Sequence, residues 1–221
     1  MFISSDQVLA DLWLLVNAVY VVLLLIALRQ ADWLRLWRAD QLNLFVIACL
    51  ALVGLWSLRA GISPGLALHY LGVTAFTLLF GWGLAMIGVS AALVGMMLLW
   101  QGEWSAFAVN ALVVGAVPVL VTVVVHRLAQ RYLPAHFFIY LYINAFLAGA
   151  LAMLASVLLA AALLALSGAY SLPRMGYEYL AYLPLLVLPE AILNGIVMTA
   201  FVVLKPEVVA TFDDEFYLKN R

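Results

Sequence analysis

The 221-residue sequence is 68% hydrophobic and only 10% charged, with a mean hydropathy of +1.16. Soluble domains are roughly half apolar, so this composition excludes a soluble globular protein. It predicts an all-α, polytopic integral membrane protein whose surroundings are the lipid bilayer. The net charge of −1 gives no reason to expect nucleic acid as a partner.

Apolar segments long enough to cross a bilayer, which takes about 20 residues, recur along the chain. We predict seven helices, at about residues 8–28, 41–60, 64–81, 83–100, 105–126, 136–166 and 180–204. The third and fourth meet at Gly81-Trp82-Gly83, which is either a turn between two spans or a kink in one long helix. Six helices are therefore also possible.

Basic residues in the short loops predict the orientation of the chain. With the N-terminus outside and the C-terminus inside, only Arg59 and Arg174 of the ten lysines and arginines fall in outer loops. We expect a single permease domain over residues 1–221, in which residues 205–221 form a short, solvated cytoplasmic tail.

The first inner loop, residues 29–41, intersperses tryptophan and leucine with arginine and aspartate. This pattern favours a short amphipathic helix in the membrane interface, with Trp33 and Trp37 at headgroup depth. A docking surface for a partner subunit is the alternative.

His69 lies inside the third apolar segment. An unpaired ionisable side chain at membrane depth costs roughly a few kcal/mol, so His69 is the first functional candidate; a hydrogen-bonded packing residue is the alternative. Ser63 and Pro64 predict the start of this helix, because serine caps helices and proline at the first position has no amide hydrogen to leave unpaired. Asn110, near the start of the fifth segment, would lie at a similar depth.

Glu190 comes near the middle of the last segment, together with Pro189 and Asn194. Prolines free backbone carbonyls, and irregular backbone at membrane depth is tolerated only when it is buried or lines a cavity. Glu190 therefore either has a ligand or coupling role, or is protonated, or is satisfied by hydrogen bonds to Asn144 or to another helix.

Short motifs along most of the chain carry a family resemblance. They are Pro64-Gly65, Leu68-His69-Tyr70-Leu71-Gly72, Gly81-Trp82, residues 98–102 with Asn110, His136-Phe137-Phe138-Ile139-Tyr140, Asn144-Ala145-Phe146, Pro189-Glu190-Ala191-Ile192 and Lys205-Pro206-Glu207. In this order and spacing they resemble the substrate-binding membrane subunit, of the CbiM type, of cobalt/nickel energy-coupling-factor (ECF) transporters. No single motif is specific.

The resemblance implies a metal ion held by nitrogen atoms: the terminal amine, a backbone nitrogen, a histidine at position two and a histidine early in a membrane helix. Such ligands suit Ni²⁺ and related metals. Met1 and His69 match two of these positions, but Phe2 cannot ligate. Either Asp6 or Asp11 substitutes for the missing imidazole, or the site takes a metal chelate, or the substrate is not a metal.

By resemblance, the chain is the substrate-binding subunit of an ECF ABC transporter in a bacterial cytoplasmic membrane. A second membrane subunit and cytoplasmic ATPase subunits would be its partners, and a transition metal ion would be its substrate, with no permanently bound cofactor. The sequence has no P-loop, G-x-S-x-G or H-E-x-x-H motif, so we do not expect an enzyme. Because of Phe2, the alternative is a non-transport assembly or sensor protein with a decayed metal site.

Overall fold

The computed structural model describes residue 3, residues 10–63, 66–100 and 103–213, and residue 217. Its helices are α1 (Ala10–Gln30), α2 (Trp33–Leu36), α3 (Ala39–Ser57), α4 (Val73–Phe80), α5 (Trp82–Trp100), α6 (Phe107–Ala111), α7 (Val117–Tyr132), α8 (Phe137–Ile139), α9 (Ala148–Leu166), α10 (Leu172–Glu178) and α11 (Leu183–Leu204). Two π-helical stretches, Leu112–Ala116 and Tyr140–Leu147, join α6 to α7 and α8 to α9. The all-α prediction is confirmed.

Six helical segments of the described chain are long and apolar enough to cross a membrane. They are Trp13–Gln30, Asp40–Ser57, Trp82–Trp100, Trp104–Tyr132, Phe137–Leu166 and Pro173–Leu204. Each corresponds to one of the predicted segments. In lipid the backbone groups of a span must pair within the segment, which favours a helix. Leucines and valines on the outer surface of the bundle can be exposed because lipid is an apolar solvent.

The third predicted segment is not a full-length helix. It begins within an antiparallel hairpin of β1 (Ala60–Ser63) and β2 (Leu66–Leu68), in which Ala60 pairs with Leu68. The prediction of a helix start at Ser63 is wrong, because Ser63 ends β1 and Leu66 begins β2, while Pro64 lies outside the described residues. In the sequence, proline followed by glycine is also a turn signal. The helix of this segment is α4, which begins only after Gly72 and is about 12 Å long at 1.5 Å per residue.

All eight residues of α4 are buried, and the helix packs against α3, α5, α7, α9 and α11. It ends at Gly81, whose φ of 78° is left-handed, and α5 begins at the next residue. Gly81-Trp82-Gly83 is therefore a break between two helices and not a kink in one. α4 is thus a short, buried helix in contact with five longer ones.

The two ends of the bundle are distinguished by which elements meet there. At one end, which we call the site end, Trp100 Nε1 donates to Ser57 Oγ at 3.4 Å, beside the hairpin. At the other, the tail end, the Ala210 amide donates to the Leu79 carbonyl at 2.9 Å. The loop charges predict that the site end faces outside, and this orientation stays a prediction.

The segment after α11 packs onto the tail end. Val208, Val209 and Phe212 are buried, and Gln41 Nε2 donates to the Val208 carbonyl at 3.2 Å. The prediction of a solvated tail is therefore wrong for Val208, Val209 and Phe212, whose apolar side chains are buried at the tail end, whereas Glu207 and Asp213 are exposed.

α2 is the short helix predicted in the first inner loop. Trp33, Leu34 and Trp37 on and beside it are 39%, 87% and 71% exposed. Exposed tryptophans beside arginines suit the membrane interface, in agreement with the predicted amphipathic helix.

Candidate metal-binding site

His69 lies in the turn between β2 and α4, outside the six long spans, and is only 2% exposed. Burial lowers the pKa of His69 well below its ordinary value, because a medium of low polarity disfavours the imidazolium. His69 Nδ1 lies 3.1 Å from the Tyr70 carbonyl oxygen. Since a carbonyl oxygen only accepts, the neutral ring donates from Nδ1 and carries its lone pair on Nε2, the form that binds metals.

The two residues before α4 are fixed by hydrogen bonds from other helices. The Leu71 and Gly72 amides each donate to the Glu190 carboxylate of α11, at 2.8 Å to Oε2 and 2.8 Å to Oε1. Trp56 Nε1 of α3 donates to the Leu71 carbonyl at 2.9 Å. The turn that carries His69 is thus held from two sides.

Gly72 makes the turn sterically possible. Its φ of 66° is left-handed, where residues with a Cβ are strained. A Cβ on Gly72 would also lie 3.0 Å from Leu55 Cδ2 and 3.2 Å from Leu52 Cδ2. The close approach of α3 and the backbone conformation therefore both require glycine here.

Asn194, one turn after Glu190, completes the polar cluster. Its Nδ2 donates to Glu190 Oε1 at 2.7 Å, and its Oδ1 accepts the Ala75 amide of α4 at 2.7 Å. The first backbone amides of a helix have no partner within the helix, and here the side chains of α11 supply acceptors. Two predicted candidates, Glu190 and Asn194, are thus brought together directly behind the turn of His69.

Asn110 holds the beginning of the chain at the site end. The Ile3 amide donates to Asn110 Oδ1 at 2.8 Å, and Asn110 Nδ2 donates to the Ile3 carbonyl at 2.9 Å and to the Ala106 carbonyl at 3.0 Å. Ile3 is 1% exposed. Two predicted candidates, Met1 and Asp6, lie outside the described residues. The same holds for Phe2 and for the side chain of Asp11.

Asn144 does not join the cluster around Glu190. It is 1% exposed and lies beside His126 and Tyr217, and neither atom of its amide makes a hydrogen bond of standard geometry to the described residues. The suggestion that Glu190 bonds to Asn144 is therefore wrong. The amide that donates to the carboxylate is that of Asn194, one turn away on the same helix.

Ser90 makes only structural contacts in the described chain. Its hydroxyl accepts from Tyr20 at 2.7 Å and donates to the Met86 carbonyl at 2.6 Å. These bonds tie α1 to α5, as serine commonly does between membrane helices.

No three His, Cys, Asp or Glu side chains of the described residues are grouped so that they could hold a metal ion. A metal site at His69 would therefore draw on backbone atoms or on residues outside the described part of the chain. Sequence reasoning also missed Trp56, which is fully buried at 0% exposure. In a sequence, a tryptophan near a helix end is interpreted as an interfacial anchor. Only the contact of its indole with Leu71 shows that Trp56 holds the turn of His69.

Comparison with known proteins agrees with this architecture. Two crystal structures, described as a transition metal transporter and a truncated transition metal transporter, share the fold with a TM-score of 0.75 and 18% identity. Each match covers 92% of this chain, and 93% and 99% of the two solved chains. No curated protein matches the sequence significantly.

A family model, CbiM, described as the cobalt uptake substrate-specific transmembrane region, matches residues 3–208. The match includes the hairpin, the turn of His69, all six long spans and the Glu190 cluster. This chain is a multi-pass membrane protein of the CbiM family.

Proposed function

We propose that this chain is the substrate-binding transmembrane subunit of an ECF transporter that takes up a transition metal ion such as cobalt or nickel. The observation that carries the proposal is His69: a buried, neutral imidazole in a turn held by Glu190 and Trp56. It lies in a chain of the CbiM family, and its nitrogen is a suitable ligand for both metals.

The remaining ligands are proposed to come from the start of the chain. Asn110 anchors the backbone of Ile3, two residues from Met1, so we assign Asn110 to positioning and Met1 to metal binding through its amine. Phe2 contributes no imidazole. Asp6 is the proposed oxygen ligand that replaces it, which would shift the preference of the site toward harder metals.

The energy for uptake is proposed to come from partners. The sequence contains no P-loop, so a second membrane subunit and cytoplasmic ATPases would drive the release of the ion. In this arrangement the site end faces the outside of a bacterial cytoplasmic membrane, as the distribution of basic loop residues predicts.

Metal titration of the purified protein tests the proposal. Co²⁺, Ni²⁺, Zn²⁺ and Mn²⁺ are titrated against the unaltered protein, His69→Ala and His136→Asn. His136 accepts the Phe138 amide at the start of α8, and asparagine can keep that cap, so this variant is the matched control. We expect one Co²⁺ or Ni²⁺ per chain, lost only in His69→Ala. Binding of none of the four metals, or equal binding by His69→Ala, would contradict the proposal.

Phe2 also favours the alternative of a non-transport assembly or sensor protein. Phe2→His restores the imidazole of the related metal sites and should tighten Co²⁺ binding at least tenfold. Uptake of Co²⁺ by cells that make this chain with and without ATPase subunits separates the two functions. Metal binding without any accumulation of the ion would favour the sensor.

A further inference from the structure

Among the described residues, the hydrogen-bond partners of the Glu190 carboxylate are all donors. Oε1 accepts the Gly72 amide at 2.8 Å and Asn194 Nδ2 at 2.7 Å, while Oε2 accepts the Leu71 amide at 2.8 Å. A carboxamide would place an N–H group against at least one of these donors, and the hydroxyl hydrogen of a carboxylic acid would find no acceptor among them. The contacts therefore favour an ionised carboxylate at a position that is 1% exposed.

A buried carboxylate is costly unless hydrogen bonds and a compensating charge stabilise it. Here its neighbour is the N-terminal end of α4, where unpaired amides and the helix dipole favour negative charge. Capping α4 alone does not account for all the contacts of the carboxylate, because Oε2 binds the Leu71 amide, which precedes the Gly72 cap. The carboxylate thus acts on the turn as well as on the helix.

The turn residue that Glu190 holds is close to the proposed metal ligand. Leu71 is two residues after His69, and its carbonyl accepts from Trp56, whose ring centroid lies 6.4 Å from that of His69. Leu71 is therefore fixed through both its amide and its carbonyl. Ligands of a metal site must be held to about 0.5 Å by the groups behind them.

We propose that Glu190 is a positioning residue of the metal site: its carboxylate holds the turn from α11, so that the imidazole of His69 points at the bound ion. This inference rests on the proposed function. It adds a contribution of α11 to metal affinity, although Glu190 does not touch the metal.

The test compares Glu190→Gln with two controls in Co²⁺ titrations. Glutamine has nearly the same shape but turns a donor toward one of the three donors. Thr199→Val removes a hydroxyl on the same helix that donates only to the Gly195 carbonyl, at 2.7 Å. Thr211→Val removes the bond of Thr211 Oγ1 to the Leu78 carbonyl at the other end of α4. Glu190→Asp shortens the side chain but keeps its charge.

We expect Glu190→Gln to weaken Co²⁺ binding about tenfold to a hundredfold, the range seen when groups behind metal ligands are changed. Its visible absorption spectrum at saturating Co²⁺, which reports the ligand geometry, should differ from that of the unaltered protein. Glu190→Asp should recover part of the affinity, and both threonine variants should match the unaltered protein in affinity and spectrum.

Two results would overturn the inference: unchanged affinity and spectrum in Glu190→Gln, or equal losses in the threonine variants, which would indicate general loosening of the bundle. Failure of the proposed function has a different signature, since the unaltered protein in the same series would then bind no Co²⁺. In that case the proposed role of Glu190 in metal binding would be contradicted together with the proposed function.

Discussion

The two ends of α4 are held in different ways. At the site end, side chains of α11 accept the Leu71, Gly72 and Ala75 amides. At the tail end, the backbone amides of Ala210 and Thr211 donate to the Leu79 and Leu78 carbonyls. A helix begins with unpaired donors and ends with unpaired acceptors, so the first end needs acceptors and the second needs donors.

The two ends of α4 therefore differ in how much they depend on particular side chains. The acceptors at the site end are side chains, Glu190 and Asn194, which a single substitution can remove. The main donors at the tail end are peptide groups that any residue except proline supplies. We infer that the site end depends on the identity of its residues, whereas the tail end depends mainly on the path of the chain.

The largest effect is expected for Glu190→Ala. It leaves the Leu71 and Gly72 amides and Asn194 Nδ2 without the carboxylate as acceptor, which should lower the free energy of unfolding by about 3 kcal/mol. Thermal unfolding in detergent measures the loss, with Thr199→Val as the control on the same helix. A midpoint equal to that of the control would show that water replaces the carboxylate without cost.

A pair of glycine variants compares the two ends directly. Gly72 and Gly81 flank α4 with φ values of 66° and 78°, where a residue with a Cβ is strained, so alanine should cost roughly 1–3 kcal/mol at either position. Gly72→Ala should in addition crowd α3, because its Cβ would meet Leu55 Cδ2 at 3.0 Å, whereas nothing lies within 4 Å at Gly81. Only Gly72→Ala should also weaken Co²⁺ binding; equal binding by both variants would contradict the distinction between the two ends.

The smallest effect is expected for Thr211→Val at the tail end. It removes the bond of Thr211 Oγ1 to the Leu78 carbonyl at 2.9 Å and its contact with the Tyr140 hydroxyl at 2.7 Å. The loss should be about 1 kcal/mol, with Co²⁺ affinity unchanged, because the backbone donors of Ala210 and Thr211 remain. A loss as large as that of Glu190→Ala would mean that both ends depend on side chains.

Much of the fold could be predicted from hydropathy. Six of the seven predicted segments are long helices. A continuous apolar run can be recognised as a span from its own length and hydropathy, without knowledge of its neighbours in the fold. The error at residues 64–72 arose because Ser63-Pro64-Gly65 carries both a helix-start and a turn signal. A local pattern that carries both signals does not decide between them; the pairing of β1 with β2 does.

The candidate site divides in the same way. His69, Asn110, Glu190 and Asn194 could be selected because polar side chains in an apolar run are expensive. Their partners could not be selected: Glu190 binds amides at Leu71 and Gly72, 119 and 118 positions earlier in the chain. Backbone amides have no signature in the sequence, because every residue except proline has one.

The sequence by itself therefore determined the membrane class, the long spans and the polar residues that need an explanation, because each depends on the chemistry of single residues or short runs. Only the tertiary structure decided that α4 is short and central, that residues 206–213 pack against it, and that Trp56 and Glu190 hold the turn of His69. These features depend on helices that are distant in the chain and meet only when the bundle is packed.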